Sequence, residues 1–141
     1  MKNSLRIAIL LTVALAALGS FAFVTPSAAQ GDGASSSSTD AAYHYSLGTM
    51  LSLDGKLKEA AKEYEKALAL DPKSAFLAAE LASLYVKMGD LDRAVTVCEQ
   101  SLIHNPDNAE TFALLGSVYL FKKDYEKAIG AYKRVIALDP K

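Results

Sequence analysis

Reactive side chains are scarce in this 141-residue sequence, and none stands where a neighbour could help it. The histidines are His44 and His104, sixty positions apart, and the only cysteine is Cys98. A structural zinc site needs three or four Cys or His ligands in closely spaced pairs. An intrachain disulfide needs a second thiol. Neither can be assembled here. A nucleophilic Cys98 would need exposure and a cation to depress its pKa, and Arg93 is the only one nearby in sequence. Serines are plentiful, but no nucleophile elbow or phosphate-binding glycine loop surrounds them. The sequence therefore reads as non-enzymatic, with no metal and no cofactor.

Charge narrows the class further. Fifteen basic residues stand against sixteen acidic ones, tryptophan is absent, and Lys and Arg are dispersed. Binding to nucleic acid draws on clustered cations that displace phosphate counterions, so no nucleic-acid partner is expected.

Three segments of different composition follow one another. Lys2 and Arg6 precede an uncharged apolar run from Ile7 to Val24, and Pro26 and Ser27-Ala28-Ala29 close it. A basic start, an apolar middle and small residues at a cut make a secretory signal peptide over 1–29. The predicted cleavage lies between Ala29 and Gln30, and it leaves a net charge of 13 − 16 = −3. The alternative is a retained inner-membrane anchor, since 18 residues lie at the short end of a membrane span. A membrane partner follows only in that case. Both readings put the remainder outside the cytoplasm, in the periplasm or secreted. Residues 30–39, Gln-Gly-Asp-Gly-Ala-Ser-Ser-Ser-Ser-Thr, carry almost no apolar surface and are expected to be a flexible linker.

From Asp40 the chain copies itself every 34 residues. The steps Asp71-Pro72, Asn105-Pro106 and Asp139-Pro140 keep that spacing, as do Leu47-Gly48, Leu81-Ala82 and Leu115-Gly116. Such a period marks stacked repeats, here 41–74, 75–108 and 109–141. Each reads as a pair of helices: 41–54 and 57–70, 75–88 and 91–104, 109–122 and 125–138. Asp40, Ser74 and Asn108 stand where a side chain caps free N–H groups. Gly55 and Gly89 suit the left-handed residue that ends a helix, with Lys123 in the third such place. Ala60, Tyr64, Ala67 and Leu68 recur at helical spacing as an apolar stripe.

With these slots filled, the sequence resembles the tetratricopeptide-repeat family, whose pattern runs Trp, Leu-Gly, Tyr, Ala, Phe, Pro. The first repeat supplies His44, Leu47, Gly48, Leu51, Ala60, Tyr64 and Pro72. The others depart mainly at Ala78 and Cys98, where the family has aromatic residues. The resemblance implies an all-α, right-handed α-solenoid of three helix-turn-helix repeats over 40–141, with small residues where its helices cross. It also implies a concave groove, lined by the first helix of each repeat, that binds a protein or peptide.

Carried onto this sequence, that groove comprises Ala42, Tyr45, Thr49 and Ser52, then Phe76, Ala79, Ser83, Val86 and Lys87, then Glu110, Ala113, Ser117, Leu120 and Phe121. Leu53 belongs there or in the core. Relatives that clamp a terminal carboxylate use Lys, Asn and Arg on this face. The matching slots here hold Tyr45, Thr49, Ala79, Ser83, Ala113 and Ser117, so an apolar segment or amphipathic helix is the expected occupant. Ile136 and Leu138 correspond to Leu68 and Leu70, which are expected to pack against the second repeat. No helix follows them, so self-association through this face, as a homodimer, is a further expectation.

The expected function is an extracytoplasmic adaptor in an envelope assembly or secretion complex, of the kind such repeats serve in pilus assembly, secretion and cytochrome maturation. The alternatives are a self-stacking structural subunit, and the non-catalytic targeting part of a longer enzyme.

Overall fold

The computed structural model describes the backbone of residues 32–139 and the side chains of 37–139. The apolar run and the cleavage site at Ala29 and Gln30 lie outside the described residues. Six helices fill the described chain: α1 (Asp32–Leu53), α2 (Leu57–Leu70), α3 (Ala75–Met88), α4 (Leu91–His104), α5 (Ala109–Phe121) and α6 (Tyr125–Leu138). No strand occurs among the described residues. The bounds of α2, α3, α4 and α6 coincide with those predicted, and α5 ends one residue early.

The exception is α1. The expected linker at 30–39 is helical from Asp32 onward, and Asp40 lies inside the helix rather than capping it. The cause is cooperativity. Nucleation is the costly step of helix formation, and packing of α1 on α2 supplies it. Extending the helix N-terminally through Ala34 and the serines then costs about 0.5 kcal/mol per serine in propensity.

Consecutive helices pack as hairpins, α1 on α2, α3 on α4 and α5 on α6. Each hairpin meets the next through α2 on α3 and α4 on α5, and α3 also touches α5. Nearest-neighbour packing of this kind defines a helical repeat solenoid.

The turn inside each hairpin closes in one way. At the first, Gly55 N–H donates to Ser52 O (3.2 Å) and Lys56 N–H to Leu51 O (2.9 Å). Gly89 and Asp90 repeat this with Val86 and Tyr85, and Lys123 and Asp124 with Leu120 and Tyr119. The pattern puts one residue in the left-handed region: Gly55 at φ 78°, Gly89 at 77° and Lys123 at 61°. Ser74 and Asn108 cap α3 and α5 by accepting from Leu77 N (3.2 Å) and Thr111 N (2.7 Å). Asp90 and Asp124 cap α4 and α6 similarly. Those two caps follow from the same residue chemistry but were not among the predicted ones.

The core runs the length of the array. Ala60, Ala94 and Ala128 are wholly buried at equivalent positions, and Leu81, Tyr85, Cys98 and Val118 are the largest fully buried side chains. Each junction between hairpins carries one ring hydroxyl bonded to a glutamate. Tyr85 OH donates to Glu65 across α3 and α2, and Tyr119 OH to Glu99 (3.2 Å) across α5 and α4.

The predicted packing of Leu68 and Leu70 is half right. Leu68 lies against the core, but Leu70, the last residue of α2, is 38 % exposed. In α6, Ile136 is 67 % exposed while Leu138 is half-buried, so the two do not form one bare pair.

Candidate peptide-binding groove

The predicted groove positions fall on α1, α3 and α5, and the structure sorts them by role. Tyr45 is half-buried at the junction of three rings. It stacks on Tyr64 of α2 (centroids 5.6 Å apart, planes at 18°) and meets the edge of Phe76 of α3 (5.1 Å, 66°). Offset stacks and edge-to-face pairs are favourable ring geometries. Tyr45 is thus held from two sides, and Phe76 remains 56 % exposed beside it.

Two of the hydroxyls on this face are already engaged. Thr49 Oγ1 donates to Tyr45 O (3.0 Å) and lies 3.1 Å from Tyr64 OH. Ser117 Oγ repeats the arrangement with Ala113 O (3.0 Å) and Tyr132 OH (3.0 Å). These bonds tie each first helix to its own second helix, so Thr49 and Ser117 are partly structural. Ser83, the equivalent in the second hairpin, is exposed and faces a repeat with Cys98 in place of the ring. That distinction was legible in the 34-residue register, which pairs Thr49 with Tyr64 and Ser117 with Tyr132.

Ala79 and Ala113 are half-buried, as is Ser52, while Ala42, Lys87 and Glu110 are exposed. Val86 packs against the core. Leu53 is 84 % exposed and therefore not core, and Leu120 and Phe121 stay open at 46 % and 65 %. The half-buried Ala79 and Ala113 thus share these helices with the exposed apolar side chains of Phe76, Leu120 and Phe121.

The candidate reactive groups have structural roles. His44 Nδ1 lies 2.7 Å from Glu63 Oε2, joining α1 to α2. Hydrogen bonds from Lys66 and His44 hold the Glu63 carboxyl below its ordinary pKa. Cys98 is buried, and burial pushes its thiol up to about 12, far from thiolate chemistry at neutral pH. Tyr85 is likewise pushed up to about 12, by burial first and by its bond to Glu65 second. The described residues bring together no group of three His, Cys, Asp or Glu side chains that could hold a metal. No helix among them is long and apolar enough to cross a membrane.

Family profiles described as Tetratricopeptide repeat match residues 11–75, 51–118 and 109–141. The chain belongs to the tetratricopeptide-repeat family. The first of these matches begins upstream of α1, outside the described residues.

Solved structures share the fold, tetratricopeptide domains among them. One is the first such domain of Spaghetti (RPAP3) bound to the HSP90 peptide SRMEEVD, at 25 % identity and a TM-score of 0.65, covering 74 % of this chain and 82 % of that one. The second domain of the same protein, with the same peptide, gives 22 % and 0.66 over 77 % and 99 %. A crystal structure of MamA gives 22 % and 0.66 over 73 % and 60 %. No curated protein matches the sequence.

Proposed function

We propose that this chain is a protein-interaction adaptor working outside the cytoplasm, and that the face built by α1, α3 and α5 holds an apolar peptide or amphipathic helix of its partner. One observation carries the reading. Phe76, Leu120 and Phe121 stand exposed at 56 %, 46 % and 65 % on helices that also carry the half-buried Ala79 and Ala113 and small hydroxyl residues. Large apolar anchors among small residues suit the spaced side chains of a helix laid into a groove.

Binding of the HSP90 peptide SRMEEVD by the RPAP3 domains supports a peptide as the class of ligand. The acidic end of that peptide does not suit this face. Its charged positions are Lys87 and Glu110, which sum to zero, and the clamp slots hold Tyr45, Thr49, Ala79, Ser83, Ala113 and Ser117. The placement outside the cytoplasm rests on Lys2, Arg6, the apolar run and Ser27-Ala28-Ala29.

Photo-crosslinking tests the groove. A benzophenone amino acid at Phe76 or Phe121 should capture a partner in cells, and the same residue at Gln100 on the outer side of α4 should not. Equal capture from Gln100 would move the site off this face. Intact mass tests the export: a periplasmic protein beginning at Gln30 is expected, and one retaining Met1 in the membrane fraction would replace cleavage by anchoring.

A further inference from the structure

The junctions inside the array show which face of a hairpin its neighbour covers, and the same faces stand open on α1 and α6. Among the described residues, α1 has the neighbours that α3 has except a preceding hairpin. Tyr43 and Met50 of α1 are 63 % and 65 % exposed. Their equivalents 34 residues on, Leu77 and Leu84, are buried, as are Thr111 and Val118 of α5. These positions therefore mark the face that a preceding hairpin covers.

The opposite face shows itself in α6, where no following hairpin is described. Tyr125, Ile129 and Ile136 are 61 %, 55 % and 67 % exposed. Their equivalents in α4, Leu91, Val95 and Leu102, are partly buried against the core. The two open faces are thus the two halves of one more junction of the kind already seen twice.

Charge assigns the occupant. In both internal junctions a glutamate of the second helix, Glu65 or Glu99, accepts from a tyrosine, Tyr85 or Tyr119. A cation lies over that ring, Arg93 at 4.6 Å or Lys127 at 5.4 Å. The 34-residue register puts Lys133 in the glutamate place on α6, Leu51 in the tyrosine place on α1 and Glu59 in the cation place on α2. The signs are exchanged together. The hydroxyl that needed an acceptor has gone with its acceptor, and Lys133 of one molecule complements Glu59 of another.

We propose that α6 of one copy seats on α1 of a second copy, continuing the array head to tail. Such a contact joins unlike faces and does not close on itself, so it builds an open stack rather than a symmetric dimer. The same register also places Glu126 opposite Asp54, a like-charged pair at the rim, where Lys56 Nζ lies 3.9 Å from Asp54. That pair limits affinity and makes stacking depend on concentration.

The test uses the chain purified as the cell leaves it, with Met50→Glu and Ile136→Glu as end variants. Both side chains are exposed, so both variants should keep the helical circular dichroism of the parent. By light scattering the parent should gain mass steadily with concentration, past the dimer, and each variant alone should stay monomeric. An equal mixture should form a dimer and stop, because one intact head then meets one intact tail. Glu59→Lys or Lys133→Glu should each weaken association about tenfold, and the chain carrying both should recover it. A parent that stays monomeric at millimolar concentration overturns the proposal. So does association that Ile136→Glu abolishes and Met50→Glu leaves untouched, which is the mark of a symmetric α6–α6 dimer or of an α1 face covered by something else.

Discussion

The ring of Tyr64 fills the space that a side chain at position 48 would need: a Cβ built on Gly48 would lie 2.6 Å from Tyr64 Cε1. The third repeat has the same relation, with a Cβ on Gly116 falling 2.9–3.1 Å from the ring of Tyr132. The second repeat exchanges both members at once. Ala82 replaces the glycine and Cys98 the tyrosine, and both are buried. Volume lost on one helix is returned on the other, as close packing requires.

That exchange predicts a coupled pair. Cys98→Tyr alone drives a ring into the Ala82 methyl and should destabilise by about 1–3 kcal/mol, the usual cost of overpacking. Ala82→Gly alone should cost about 1 kcal/mol in helix propensity, with more for the space it leaves. The double variant recreates the first and third repeats, so it should be more stable than the two losses summed, by at least ~1 kcal/mol. Urea unfolding of the four chains measures the coupling. Strict additivity would mean that the second repeat has relaxed around its own pair.

Most of this fold was legible because the 34-residue period repeats the same physical demands. Leu, Ala and the Asx-Pro steps recur in phase, and helix bounds follow from them. What the period could not carry was context. The segment at 32–39 has a linker's composition but extends a helix whose nucleation was met elsewhere. The groove was legible only as positions, although the 34-residue register also set Thr49 and Ser117 against the ring hydroxyls of Tyr64 and Tyr132, and Ser83 against Cys98. Exposure at Tyr43 and Met50 was unreadable, since Met50 occupies a slot that Leu84 and Val118 fill as core.

A second prediction concerns the turn after α5. Lys123 adopts φ 61°, a conformation its two equivalents reach as glycines. The left-handed region costs a residue with a Cβ roughly 1 kcal/mol. Lys123→Gly should therefore raise stability by about 0.5–1 kcal/mol, and Gly89→Ala should lower it by a similar amount. Thermal melts of both variants against the parent decide the matter. A destabilised Lys123→Gly would show that the lysine makes contacts worth more than its backbone strain.

The Glu63 carboxyl gives a pH prediction with a defined sign. Its hydrogen bonds from Lys66 (2.8 Å) and His44 depress its pKa in the folded chain below 4.5. Its contribution is then complete above that value and is lost as pH falls through the depressed folded one. The urea midpoint should decline on acidification below pH 4.5, and Glu63→Gln should make that decline shallower. An unchanged acid limb in the glutamine variant would assign the decline to other carboxylates, such as Asp90, which Arg93 depresses.

Cys98 offers a chemical probe of how the array opens. It is 1 % exposed, and burial raises its thiol from 9.0 to about 12, with Glu99 adding to the shift. At neutral pH the thiolate, which is the reactive form, is then far rarer than for an ordinary thiol. A disulfide reagent added to the folded chain should label Cys98 far more slowly than in denaturant, because the buried thiol must first be exposed. When reclosing outruns labelling, the ratio of the two rates equals the population of the open state, so it reports the free energy that frees α4. The single variants Ala82→Gly and Lys123→Gly, each made alone, sharpen the reading. Ala82 packs at the Cys98 site and Lys123 does not, so the first change should speed labelling and the second should slow it only if α4 opens by unfolding the whole array. Prompt labelling of the native parent would refute the burial, and labelling unaffected by Lys123→Gly would show that the second repeat opens by itself.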